Sequence, residues 1–120
     1  MRIQAFAELT GLTAHTLRYY EKLGLLIPGR NAYGHRDYRQ SDVDWVAFIR
    51  RLKATGMPLE AIQRYALLRS LGESTVSGRR ALLAEHADRL ERQLAEQRDH
   101  LNLLKEKMAY YDEVLIKNGA

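Results

Sequence analysis

Residues Thr13–Leu23, T-A-H-T-L-R-Y-Y-E-K-L, decide the fold. Thr13 is suited to cap a helix, its hydroxyl accepting from an amide about one turn further on. Leu17 and Tyr20 fall three apart and can point inward together, leaving His15, Thr16, Arg18, Tyr19 and Lys22 on the other faces. Those side chains are hydrogen-bond donors and cations, suited to phosphates and base edges. Just upstream, Gly11 breaks the chain, and before it Ile3, Phe6, Ala7 and Leu9 mark a first short helix. The order helix, Gly turn, helix is the helix-turn-helix pattern.

Downstream, Gly24 is placed to stop the second helix, and Leu25, Leu26 and Ile27 form an apolar run closed by Pro28 that is expected to enter the core. From Gly29 to Arg39 the turn residues Asn31 and Gly34 separate short alternating segments, which predicts a small β-hairpin carrying Arg30, His35, Arg36, Tyr38 and Arg39. A hairpin beside a helix-turn-helix is a wing. Ser41 is expected to open a third helix, with Asp42 and Asp44 in its first turn, an inward stripe of Val43, Val46, Ala47, Ile49, Arg50 and Leu52, and Trp45 and Phe48 adding bulk to the core. Pro58 suits the first turn of a fourth helix, with Leu59, Ile62, Tyr65 or Ala66, and Leu67 or Leu68 inward. Residues 71–78 lie in the Gly- and Ser-rich segment S-L-G-E-S-T-V-S-G and are assigned as a linker after a DNA-binding domain of residues 1–70.

From residue 79 to 117 a heptad takes over. Leu83, Ala87, Leu90, Leu94, Gln97, Leu101, Leu104, Met108, Tyr111 and Leu115 are spaced by alternating fours and threes, a coiled-coil seam. Roughly 37 residues of helix would extend about 55 Å, too far for a domain of this size to cover, so the seam needs a partner chain. The expected dimer interface is Leu83, Leu90, Leu94, Gln97, Leu101, Leu104, Met108 and Tyr111, with Gln97 fixing register. Residues 118–120 form a tail. The fold class is therefore mainly α: a winged helix-turn-helix followed by a long C-terminal dimerisation helix.

Composition narrows the function. No stretch approaches the about 20 apolar residues of a membrane span, and Met1-Arg2-Ile3 runs directly into structured sequence, so a cytoplasmic protein without a membrane partner is expected. The absence of Cys excludes disulfides, zinc-thiolate sites, iron–sulfur clusters and thiol sensing. His15, His35, His86 and His100 sit on separate elements without metal-ligand spacing, and no nucleophile or phosphate-loop motif is present. No catalytic residue, metal or cofactor is expected. Residues 1–70 carry 11 Lys or Arg against 6 Asp or Glu, while residues 71–120 carry 8 against 9, so the basic excess sits with the helix-turn-helix. That is the distribution expected if this half meets double-stranded DNA.

Four motifs in order, T-L-R-Y-Y-E, G-L-L, R-N-A-Y-G-H-R-D-Y and T-G-M-P-L-E-A-I, resemble the signature of MerR-family transcription regulators over about the first 70 residues. The chain resembles a short, Cys-free member, nearest the aldehyde- and electrophile-responsive branch. The resemblance implies an antiparallel pairing of two subunits through the long helix, and a pseudo-palindromic promoter operator whose −35 and −10 elements are spaced too widely. It implies bending and untwisting of that DNA so that RNA polymerase can use both elements, to activate or to repress. It also makes Gly56-Met57-Pro58 part of a second wing, and implies that Arg36 and Tyr38 contact phosphates. His35 stands where members often carry Tyr, which leaves its own contact undefined.

The expected DNA-binding residues are Thr13, His15, Thr16, Arg18, Tyr19, Lys22, Arg36, Tyr38 and Arg39. Each has a plainer reading: Arg18 as an ion-pair partner of Glu21 or Glu8, Thr13 as a cap only, Tyr19 as a shield for the helix edge, Arg39 as a solvated cation. Tyr110 and Tyr111 beside Met108 can serve either interface packing or a small-molecule effector. Two other classes fit part of the pattern. An architectural, excisionase-like protein would bend DNA without an effector, and a coiled-coil adaptor would treat the basic half as incidental.

Overall fold

The computed structural model describes residues 1–119; of the expected tail, Ala120 lies outside the described residues. The elements are α1 (Ile3–Thr10), α2 (Ala14–Lys22), β1 (Gly29–Arg30), β2 (Arg36–Asp37), α3 (Gln40–Ala54), α4 (Leu59–Ser70) and α5 (Val76–Lys117), with a 3₁₀ turn at Glu73–Thr75 before α5. The strands pair antiparallel, Gly29 opposite Asp37 and Arg30 opposite Arg36. No helix among the described residues is long and apolar enough to cross a membrane.

Local chemistry sets the boundaries. Thr13 accepts at 3.1 Å from the Thr16 amide and so begins α2. At the other end Gly24 adopts φ +76°, and two bonds close the helix: its amide donates to Glu21 O at 3.0 Å and the Leu25 amide to Tyr20 O at 2.9 Å. This is a Schellman closure, and a side chain at Gly24 would strain it. The same pair of bonds ends α3, from Gly56 to Lys53 O and from Met57 to Leu52 O, which turns the chain into Pro58 and α4.

The chain divides into two compact units, Met1–Leu83 and the residues from Ala84 onward. The core of the first is built from Phe6, Leu17, Tyr20, Leu25, Leu26, Tyr38, Trp45, Val46, Ile49, Leu52, Met57, Ile62 and Ala66, so every one of α1 to α4 and the wing contributes to it. Polar bonds tie the layers. Trp45 Nε1 donates to Leu25 O at 2.8 Å and Gln63 Nε2 to Leu23 O at 2.7 Å, satisfying carbonyls just beyond α2. Trp45 also stacks on Tyr65, with ring centroids 5.3 Å apart. Asp42, which is buried, accepts from the Arg39 amide and holds Arg69 of α4 at 3.3 Å.

Several expectations are corrected. α3 begins at Gln40 with Arg39 at the cap position, one residue before Ser41, because Asp42 reaches back to the Arg39 amide. Pro58 is the cap of α4 and not in its first turn. Ile27, Ala47, Arg50 and Leu59 are exposed, since the core positions nearby are taken by Leu26, Val46, Ile49 and Ile62, and of the alternatives Leu67 and Leu68 it is Leu68 that is partly buried. The assigned 71–78 linker is ordered. Thr75 Oγ1 lies 2.6 Å from Leu68 O and 2.7 Å from Gly72 O, its one proton shared between the two carbonyls, Arg79 Nη2 donates to Gly72 O at 3.3 Å, and α5 starts at Val76. The boundary between the units falls instead inside α5, after Leu83. Leu83 packs against the core of the first unit, so its place in the heptad does not make it a free seam position.

The second unit is the rest of α5, roughly 50 Å of helix at 1.5 Å per residue. Leu94, Leu101, Leu104, Met108, Tyr111 and Leu115 are all about half exposed or more along it.

Candidate nucleic-acid interface

On α2 the buried pair Leu17 and Tyr20 fixes which side turns out. His15, Arg18, Tyr19 and Lys22 are exposed, and their spacing of three, one and three puts them on one stripe. Thr16 falls off that stripe, its amide and hydroxyl both engaged by Thr13, with the two side-chain oxygens 3.0 Å apart. Thr13 and Thr16 therefore act first on the helix terminus.

Beside the stripe opens a cleft of about 640 Å³ lined by Arg2, Ile3, Gln4, Arg18, Glu21, Lys22, His35, Arg36 and Tyr38. It joins three elements: the start of α1, the outer face of α2 and strand β2 of the wing. Four cations meet one carboxylate there. α1 carries no side-chain cap at Arg2, and the residues at its start, Arg2, Ile3 and Gln4, line the cleft at the positive end of the helix dipole. Such a concavity suits an anion with several acceptor oxygens.

The wing is held from both sides. Arg36 Nε donates to Glu21 Oε1 on α2, and that carboxylate, bonded first and attracting second, raises the Arg36 pKa above its ordinary value. Arg18 forms no hydrogen bond or ion pair with another described residue. The plainer reading, Arg18 paired with Glu21 or Glu8, thus gives way to a Glu21–Arg36 pair. At the base of the wing the Met1 amino group lies 2.7 Å from Asp37 Oδ1 and holds that carboxyl below its usual range. At the tip Asn31 Oδ1 accepts from the Tyr33 and His35 amides.

Tyr38 is the sharpest departure from a surface contact residue. Its ring is 1% exposed and stacks on Phe6, with centroids 4.4 Å apart. The residue lines the cleft, but its hydroxyl oxygen is buried as well. It lacks a partner of hydrogen-bond geometry, and burial first, then the nearby Glu21 charge, raises its pKa. Arg39 is exposed at the start of α3, does not line the cleft, and contributes its backbone amide to Asp42. Arg2, Gln4 and Glu21 were not among the expected DNA-binding residues. Nothing local marks them, because the cleft exists only once α1, α2 and β2 are packed. Among the described residues no cluster of three His, Asp or Glu is arranged to hold a metal.

A helix-turn-helix with an outward cationic stripe and a cationic wing defines a DNA-binding protein. Two family models match the chain: MerR HTH family regulatory protein over residues 1–68, and MerR, DNA binding over residues 43–109. An uncharacterised HTH-type transcriptional regulator of Haemophilus influenzae is 38% identical over 108 residues, 89% of this chain and 80% of that protein. The crystal structure of HiNmlR, a MerR family regulator lacking the sensor domain and bound to promoter DNA, is 38% identical, with a TM-score of 0.63 over 90% of this chain and 86% of that one. A MerR family transcriptional regulator from Listeria monocytogenes is 32% identical, with a TM-score of 0.72 over 97% of this chain and 89% of that one. The chain belongs to the MerR family and is a DNA-binding transcription regulator.

Proposed function

We propose that the chain acts as a homodimer that binds a pseudo-palindromic operator within a promoter and distorts the duplex to control transcription. The observation that carries this reading is the cleft between α1, α2 and the wing, where Arg2, Arg18, Lys22 and Arg36 line a concavity of about 640 Å³. In this reading His15, Arg18, Tyr19 and Lys22 face the groove, Arg18 being free to address either a phosphate or a guanine edge. Arg36 and the Tyr38 hydroxyl hold backbone phosphates beside it. Thr13 and Thr16 set the pitch of α2, and Arg39 adds charge at the flank.

Dimerisation uses the heptad on α5, with Leu90, Leu94, Gln97, Leu101, Leu104, Met108 and Tyr111 facing a second copy antiparallel. Two reading heads on one dimer account for a two-fold operator. Distorting a duplex costs a few kcal/mol, a scale that phosphate contacts on both half-sites can offset, and RNA polymerase then reads the altered spacing. At the Met108–Tyr110–Tyr111 end of the helix the aromatic side chains pack the interface, and a small-molecule effector there is the second reading. The HiNmlR regulator bound to promoter DNA while lacking a sensor domain supports a short chain working in this way.

Fluorescence anisotropy tests the reading with duplex from upstream of the chain's own gene and a scrambled duplex, at low and moderate salt. The expected outcome is a preference of about 10³ or more for the native duplex, both affinities falling steeply with salt. Arg18→Ala is expected to weaken native binding while leaving the dimer intact. Equal binding of both duplexes would mean either that the operator lies elsewhere or that the role is architectural.

A further inference from the structure

We infer that Glu21 is a positioning residue for DNA recognition: it clamps Arg36 through Nε and so leaves both terminal nitrogens of the guanidinium presented to a backbone phosphate. The inference deepens the reading of the cleft as a phosphate seat and rests on it. Glu21 is on α2 and Arg36 on β2, fifteen residues apart, and the contact is made by Nε alone. Neither Nη of Arg36 donates to another described residue.

An arginine has five N–H donors, so one committed at Nε leaves four in the fork that matches phosphate oxygens. The Arg36 side chain is half exposed while that of Glu21 is 18% exposed, so the carboxylate is the fixed member of the pair and the guanidinium the guided one. Glu21 is itself held, because its backbone carbonyl accepts from Gly24 in the closure of α2. The clamp therefore couples the wing to the end of the recognition helix, and DNA meets the two as one surface. A carboxylate in a DNA-facing cleft would otherwise only repel phosphate. Its hold on Arg36 is the reason it is tolerated, and the cost is one unit of positive charge.

Charge and positioning separate in two variants. Glu21→Gln removes the charge but keeps an oxygen that accepts from Nε, whereas Glu21→Ala removes both. With the native duplex at moderate salt, Glu21→Ala is expected to bind roughly 3- to 10-fold more weakly than Glu21→Gln, the scale for ordering one long side chain on binding. In an Arg36→Ala background the two are expected to bind equally. Both are expected to steepen the salt dependence by about 0.9 in log–log slope, since each adds one net positive charge to the seat. Circular dichroism melts establish that each variant is folded. Equal affinity of the two variants, or a gap that survives Arg36→Ala, would overturn the clamp while leaving promoter binding standing. A wild-type chain that prefers neither duplex would instead remove the reading beneath both.

Discussion

Tyr38 stacks its ring on Phe6 in the core and also lines the cleft, so one side chain serves packing and, in the proposed reading, recognition. The two roles predict opposite results for Tyr38→Phe. The hydroxyl has no partner of good geometry, so deleting it removes an unsatisfied buried group and is expected to change stability at pH 7 by less than about 1 kcal/mol. Operator binding is expected to weaken roughly tenfold, the scale of one hydrogen bond to a charged acceptor. The pH dependence has a definite sign. Burial and then Glu21 raise the folded-state pKa above the ordinary tyrosine value, so the fold favours the neutral phenol. Stability from this group is complete below the unfolded pKa of about 10 and is lost as pH rises through the folded value. Melting curves from pH 8 to 11 should show the wild type losing stability more steeply than Tyr38→Phe above pH 10. A parallel decline in both would remove the hydroxyl from the account. At this scale the sequence showed Arg18, Lys22 and Arg36 through their motifs. It did not show Arg2, Gln4 or the Glu21–Arg36 pair, because a partner on another element is a tertiary fact with no local pattern.

Among the elements, α2 depends most on its ends, being nine residues long and marginal without packing and caps. Thr13→Ala removes the acceptor for the Thr16 amide and is expected to cost about 1 kcal/mol. For a domain of this size that is a fall in melting temperature of roughly 4–8 °C. Thr13→Ser keeps the oxygen and should stay near the wild type, so a thermal melt of all three proteins distinguishes capping from any requirement for the methyl group. Equal melts for Thr13→Ala and the wild type would show that packing alone sets the start of the helix. Cap residues such as Thr13 and Gly24 are legible in sequence because they act within a turn of their own position. The 71–78 segment shows the converse. Its Gly and Ser content signals a break, yet Thr75 and Arg79 bond back to Leu68 and Gly72, contacts made only once α4 is in place.

For the molecule as a whole, the heptad on α5 carries information that the single chain does not. Leu101 is 49% exposed and Leu103 is 63% exposed, so burial hardly separates them. The alternation of fours and threes does: Leu101 lies on the seam and Leu103 two positions away from it. Leu83 marks where the pattern stops being a guide, because the same heptad continues into residues that pack on the first unit's own core. If the seam joins two copies, Leu101→Glu buries a carboxylate in each half of the interface and is expected to yield monomers in sedimentation velocity at micromolar concentration. Leu103→Glu is expected to remain dimeric. Because the core of the first unit does not include Leu101, the monomeric variant should keep the near-UV signal of Trp45 in its stack with Tyr65. It should lose operator affinity by about 10² or more, the factor expected when two linked half-site contacts become one. Its binding to scrambled duplex should fall far less, since each unit retains the cations of its cleft. Dimers surviving Leu101→Glu but not Leu103→Glu would move the interface to the other face of α5, and with it the register that the sequence assigns.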